Sequence, residues 1–261
     1  MKRNLFLFCL LLIGLHSMAQ KQVVNNLTTF DDKRLHFGFS LGVNALDFGI
    51  QHYQNMSDNV QFKPIQDPTN PTSAANEDYK YRNAIIRADV ATLTPGFTVG
   101  IVTNLRLTES LDLRFLPGMS FGERKLTYNI PIQDVNNTDV KNTENYSIKS
   151  TYLDFPLLLK YKSRRMNNQR PYLIGGAAYR VDISKTGEED LVRLKPFSTY
   201  LEAGMGWDMY LQFFRLSTEL KFSFGLNNIL DNGPKNTQMQ VYTDAFSRVT
   251  SDIFTLSFHF E

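Results

Sequence analysis

The chain has 261 residues, 28 Lys+Arg against 26 Asp+Glu, and one cysteine. So small a basic surplus argues against a nucleic-acid partner, which calls for a strongly basic face. The length suits one ordinary domain or one small barrel, and a lone thiol excludes an internal disulfide.

Lys2 and Arg3 open the chain, and the apolar run LFLFCLLLIGL (5–15) and the small residues Ser17 and Ala19 follow. This is the pattern of a secretory signal peptide over residues 1–19, with cleavage expected between Ala19 and Gln20. An uncleaved anchor is the alternative, although the run is short for a bilayer span. Cys9 lies inside the apolar run with no small residues before it, which argues against a lipoprotein. The mature chain then has no cysteine, and loss of Lys2 and Arg3 brings the formal charge of +2 to zero. Residues 20–33 read as a short periplasmic segment with some helical character. No later stretch approaches ~18 consecutive apolar residues, so no transmembrane helix is expected.

From residue 34 onward the hydrophobic period is two. RLHFGFSLGVNA (34–45) sets Leu35, Phe37, Phe39, Leu41 and Val43 against His36, Gly38, Ser40, Gly42 and Asn44. GFTVGIVTNLRL (96–107), LDLRF (111–115), TYLDFPLLLKY (151–161) and PYLIGGAAYRVDI (171–183) repeat the form. FSTYLEAGMGWDMYL (197–211), FRLSTELKFSFG (214–225) and SDIFTLSFHFE (251–261) bring the strands to eight. Short connections near 108–110 and 211–212 contrast with long polar ones near 53–93, 130–148 and 226–248. The expectation over 34–261 is an all-β, eight-stranded antiparallel transmembrane β-barrel with long extracellular loops and shorter periplasmic turns.

The polar faces carry Arg106, Asp112, Arg114, Asp154, Arg180, Asp182, Glu202, Asp208, Arg215, Glu219 and Lys221. Arg or Lys facing lipid at mid-bilayer costs about 2–4 kcal/mol each, so these faces belong inside and the aromatic row Phe254, Leu256, Phe258 and Phe260 faces outward. A soluble β-sandwich handles so many inward charges badly, because each of its sheets buries only one face. A three-residue turn at 108–110 would set Arg106 opposite Asp112. A two-residue turn at Leu211-Gln212 would set Asp208 opposite Arg215 and Glu202 opposite Lys221, although Leu-Gln is poor hairpin chemistry.

KRLHFGFSLGVNALDF (33–48), IRADVATLTPGFTVGIVTNLRL (86–107), LRFLPGMSFGERKL (113–126), STYLDFPLLLKYKS (150–163), RPYLIGGAAY (170–179) and ELKFSFG (219–225) together carry a family likeness. Over most of the mature chain the sequence resembles the PorT family of the type IX secretion system. HFGFSLGVN and LPGMSFGERK, in that order, make the likeness specific; LDFPLLLKY and PYLIGG are shared with the wider superfamily of small outer-membrane barrels. The resemblance implies a non-enzymatic outer-membrane component of protein secretion, and of gliding motility in species that glide. It implies no cofactor and no small-molecule substrate. The implied partners are outer-membrane lipid and other type IX secretion proteins, the translocon among them.

Some residues invite chemistry of their own. His36 and His259 fall on the inward faces of the first and last strands, with Ser40 and Ser257 nearby, and a Ser–His site acting on lipid is the enzymatic alternative. The plainer reading is two histidines hydrogen-bonded in a polar interior. Asp154, Glu202, Asp208 and Glu219 suggest a metal or acid–base cluster, but interspersed Arg and Lys favour a charge-paired plug. An eight-stranded barrel is filled by its own side chains, so no protein passes through it. In KYKSRRMNNQR (160–170), Lys162, Arg164, Arg165 and Arg170 would either dock an acidic partner surface at a periplasmic turn or sit solvated there. A structural or adhesive barrel working through its extracellular loops is a third reading.

Overall fold

Alternation of large apolar and small or polar residues gives an antiparallel sheet in the computed structural model, which describes residues 25–60, 86–131, 140–184, 192, 194–231 and 244–261. The strands are β1 (Leu35–His52), β2 (Arg87–Leu93), β3 (Pro95–Arg106), β4 (Leu111–Phe115), β5 (Gly118–Pro131), β6 (Val140–Lys162), β7 (Gln169–Asp182), β8 (Phe197–Tyr210), β9 (Arg215–Gly225) and β10 (Phe246–Phe260). Single turns of 3-10 helix occupy Phe30–Asp32 and Met56–Asp58. The expected cleavage at Ala19 and Gln20 lies outside the described residues.

Ten strands stand where the alternation suggested eight. Two interruptions account for the difference. Thr94 separates β2 from β3, and Leu116-Pro117 separates β4 from β5, where proline has no N–H to continue a ladder. The pairing runs on across the second break: β3 and β6 each pair with both β4 and β5. Stepping through antiparallel neighbours from β1 to β10, β9, β8, β7, β6, β4 and β3 leads back to β1. β2 extends the sheet by pairing with β5.

The two ends of the sheet differ. At one end lie the connections 107–110, 163–168 and 211–214, together with the start of β1 and the end of β10. The long connections lie at the other end, where β2 and the start of β6 at Val140 reach into segments expected to be loops, and β5 occupies a stretch that was not assigned as a strand.

The outer face is apolar over most of its height. Phe37, Phe39, Ile101, Leu157, Leu173, Leu201, Met205, Trp207, Phe222, Phe254 and Phe258 are all exposed. Phe39 and Phe260 stack across the β1–β10 pair with ring centroids 4.7 Å apart. The terminal aromatic row therefore looks outward, while Ile253 before it and Thr255, Ser257 and His259 between its members are buried. Inside, chemistry changes with height. Phe48, Ile86, Leu126, Tyr128, Phe246 and Val249 form an apolar cluster near the loop end, and the turn end is filled with charge.

Candidate functional site

The period-two register delivers Arg114 on β4, Lys160 on β6, Asp208 on β8, Glu219 on β9 and His259 on β10 to the same interior level. All are buried. Arg114 Nη1 meets Glu219 Oε2 at 2.5 Å and its Nε donates to Asn104 Oδ1 at 2.7 Å. The Tyr172 hydroxyl donates to the same Glu219 oxygen at 2.9 Å. Lys160 Nζ reaches both oxygens of Asp208 at 2.7 Å, and the Ser217 hydroxyl adds a bond of 2.6 Å to that carboxylate. Glu261 turns inward and accepts from Arg215 Nη2 at 2.7 Å and from Asn104. Removing these charges from water is costly, and only mutual pairing with further hydrogen bonds offsets that cost.

One level nearer the loop end, Arg180 bridges Asp154 at 2.8 Å and Glu202 at 2.5 Å. Lys221 Nζ lies 3.0 Å from Glu202 Oε2, and the Ser223 hydroxyl donates to Glu202 at 2.7 Å. Higher still, Arg124 has no carboxylate partner among the described residues. Its donors go to the Asp47 carbonyl and to the hydroxyls of Ser150, Tyr152 and Ser251, and its guanidinium lies 4.2 Å from the Phe48 ring centre.

The pairs expected from the sequence divide. Arg106 and Asp112 are register partners. Their side chains go elsewhere: Asp112 binds Lys162 Nζ at 2.6 Å, and Arg106 donates to the Asp31 carbonyl oxygen. At the second turn the register itself requires correction, because Asp208 lies opposite Ser217 and Glu202 opposite Ser223. The turn is the four-residue Leu211–Phe214, closed by a 3.0 Å bond from the Leu211 N–H to the Phe214 carbonyl. A two-residue loop of Leu-Gln lacks the positive-φ residues that such a hairpin needs. Diagonal reach still brings Arg215 to 3.8 Å from Asp208, and Lys221 to Glu202.

The histidines do not form a site together. His259 lies opposite Ser40, while His36 lies nearer the turn end, opposite Asn104. His36 stacks on Phe30 at 4.2 Å and contacts the Lys33 carbonyl at 3.1 Å. His259 Nε2 is 3.4 Å from Glu219, and no described serine hydroxyl is hydrogen-bonded to it. Beside His259 a cavity of ≈ 30 Å³, lined also by Ser40, Ser120 and Lys221, has room for little more than a water molecule.

The basic segment is also not the exposed cluster it suggested. Lys162 and Arg170 are buried, Arg165 is half-buried, and of the four only Arg164 is exposed. Arg170 donates to the carbonyls of Ser163 at 2.7 Å and Glu109 at 2.8 Å. Arg165 lies over the Tyr210 ring at 3.8 Å and donates to Asn26, Leu27 and Asn168. The element that engages them belongs to the expected periplasmic segment 20–33, whose contacts with the strands were not foreseen. Residues 25–33 cross the turn end as a strap, placing Asp31 against Tyr210, Arg170 and Arg215.

A filled charged interior inside an apolar wall is a membrane arrangement, and comparison with known families agrees. The profile of the outer membrane protein beta-barrel domain matches residues 18–231. The chain belongs to that family. In an outer membrane β-barrel domain the exposed aromatic and aliphatic face has lipid for its solvent, and the charges have nowhere to go but inward. β10 lies beyond the matched residues, yet it joins β9 to β1 and so belongs structurally to the same domain. No curated protein matches the chain.

Proposed function

We propose that the strands close as an eight-stave barrel, with β2–β3 and β4–β5 each serving as one stave, spanning the outer membrane with its short turns in the periplasm. Within it the protein acts as a non-enzymatic component of the type IX secretion system, in a scaffold or assembly role. The filled interior supports the mechanistic half of this reading: ion-paired side chains pack the turn-end levels, an apolar cluster closes the loop-end level, and the cavity beside His259 is only ≈ 30 Å³, so the described interior leaves little room for a conduit. Work must then be done at its surfaces, by the wall or the turns against a larger translocon. The secretion half rests on the likeness of HFGFSLGVN and LPGMSFGERK to the PorT family.

The test is the distribution of a type IX cargo protein in a strain lacking this gene. Cargo trapped in the periplasm, with membrane integrity intact, is the expected outcome. Normal release would remove the secretion role and leave the outer membrane barrel standing.

A further inference from the structure

The strap over the turn end is held differently from everything beneath it. None of residues 25–33 is buried, whereas the charges it covers are nearly all enclosed. Its attachment is polar apart from Phe30. The Tyr210 hydroxyl donates to both oxygens of Asp31, at 3.0 and 2.9 Å, Arg170 Nη1 lies 3.4 Å away and Arg215 Nη1 3.9 Å away. Asn26 is tied to Asn168 and Tyr210, and Leu27 is held at φ 49°, a left-handed conformation that a leucine adopts only under constraint. Among the described residues Asp31 is the only carboxylate that Arg170 meets, because its other acceptors are neutral carbonyls. Without the strap, guanidinium groups from β7 and β9 and a phenol from β8 would converge on a place of carboxylate size.

From this we infer that the turn-end mouth is a carboxylate-binding site which Asp31 fills in cis, and that an acidic peptide segment of a partner protein takes Asp31's place when the strap lifts. Charge complementarity selects the occupant. Arg and Tyr donors in this arrangement match a carboxylate, and Arg164 and Lys33, both exposed at the rim, extend the attraction to neighbouring acidic residues. Strain at Leu27 and the lack of any buried strap residue lower the cost of exchange. This inference rests on the barrel reading but not on the secretion role.

The test uses the mature full chain in detergent, with fluorescein-labelled hexa-aspartate as probe and fluorescence polarisation as readout. Asp31→Asn empties the site of charge and is expected to tighten binding about tenfold over the wild type, with a steep loss on added salt. Adding Arg170→Gln should return binding to the wild-type level. If that variant does not fold, Tyr210→Phe replaces it and should remove part of the gain. Equal binding by wild type and Asp31→Asn, or a gain that persists without Arg170 and Tyr210, would overturn the site. Capture of phosphatidylglycerol vesicles without binding of the peptide would do so as well. A positive result with normal cargo release would leave the site intact and dispose of the secretion role alone.

Discussion

The loop-end and turn-end halves of the interior solve the same packing problem with opposite chemistry. Near the loops the space is closed by Phe48, Ile86, Leu126, Tyr128, Phe246 and Val249, and the outward positions there carry Arg87, Asp89, Glu123, Lys125 and Lys149. Near the turns polarity reverses, with Arg114, Lys160, Asp208 and Glu219 inside and Phe37, Leu159, Trp207 and Phe258 outside. A strand crossing from one half to the other changes solvent, from lipid to water, and its inward face changes to match. β1 records the switch in one run: Ser40 and Asn44 point inward near the turns, then Leu46 and Phe48 near the loops. The difference suggests where the membrane ends, about where Asp47 and Asp252 face each other on the outer side.

If the turn-end half depends on mutual pairing, breaking one pair there should cost more than removing apolar volume elsewhere. Glu219→Leu leaves the fully buried Arg114 without its nearest carboxylate and takes acceptors from Tyr172 and His259. A loss of about 3–5 kcal/mol is expected, read as a lower urea midpoint for unfolding in lipid vesicles. Replacing both partners, Arg114→Met with Glu219→Leu, should recover much of that loss. Equal losses for the single and double variants would mean that the pair is not the unit of stability.

In the loop-end half, Leu126→Ala removes buried methyl groups from an apolar cluster with no charge to strand. The expected loss is about 3 kcal/mol, without the rescue by a second substitution that marks the turn-end pair. A loss below that of an exposed wall substitution such as Leu157→Ala would mean that the loop-end cluster packs loosely and adds little.

The same reversal explains what the sequence could and could not convey. Strands of the membrane-facing half were legible because their polar members are Arg, Asp and Glu, residues whose placement against lipid is prohibitive. β2 and the loop-end part of β5 carry the opposite pattern, with Ala88, Leu126 and Tyr128 inward and charges outward, which resembles ordinary polar connection when judged by the membrane rule. The polar faces named Arg114, Glu202, Asp208 and Glu219 as interior residues, but which acid meets which base depends on diagonal reach and on a turn of four residues. Asp31 was invisible for a further reason. The strap has no periodicity, and its role comes from lying across strands that end far apart in sequence.

The smallest expected effect contrasts inside and outside at two adjacent residues. Gly176 points inward on β7, and a Cβ there would run into the Leu157 carbonyl oxygen and the Leu158 side chain. Gly175 points outward, and the nearest atom to its would-be Cβ is the Glu202 carbonyl oxygen at 3.9 Å. Gly176→Ala must push backbone apart and should cost about 1–3 kcal/mol. Gly175→Ala meets open space and removes the conformational freedom of a strand glycine, so a gain of roughly 0.5–1 kcal/mol is expected. Both are read from the same urea unfolding in vesicles. Opposite signs at neighbouring positions would fix β7 with its even residues inward. Equal losses would instead mean that the outer face at Gly175 is covered in the vesicle, and that the wall between β6 and β8 does not meet lipid there.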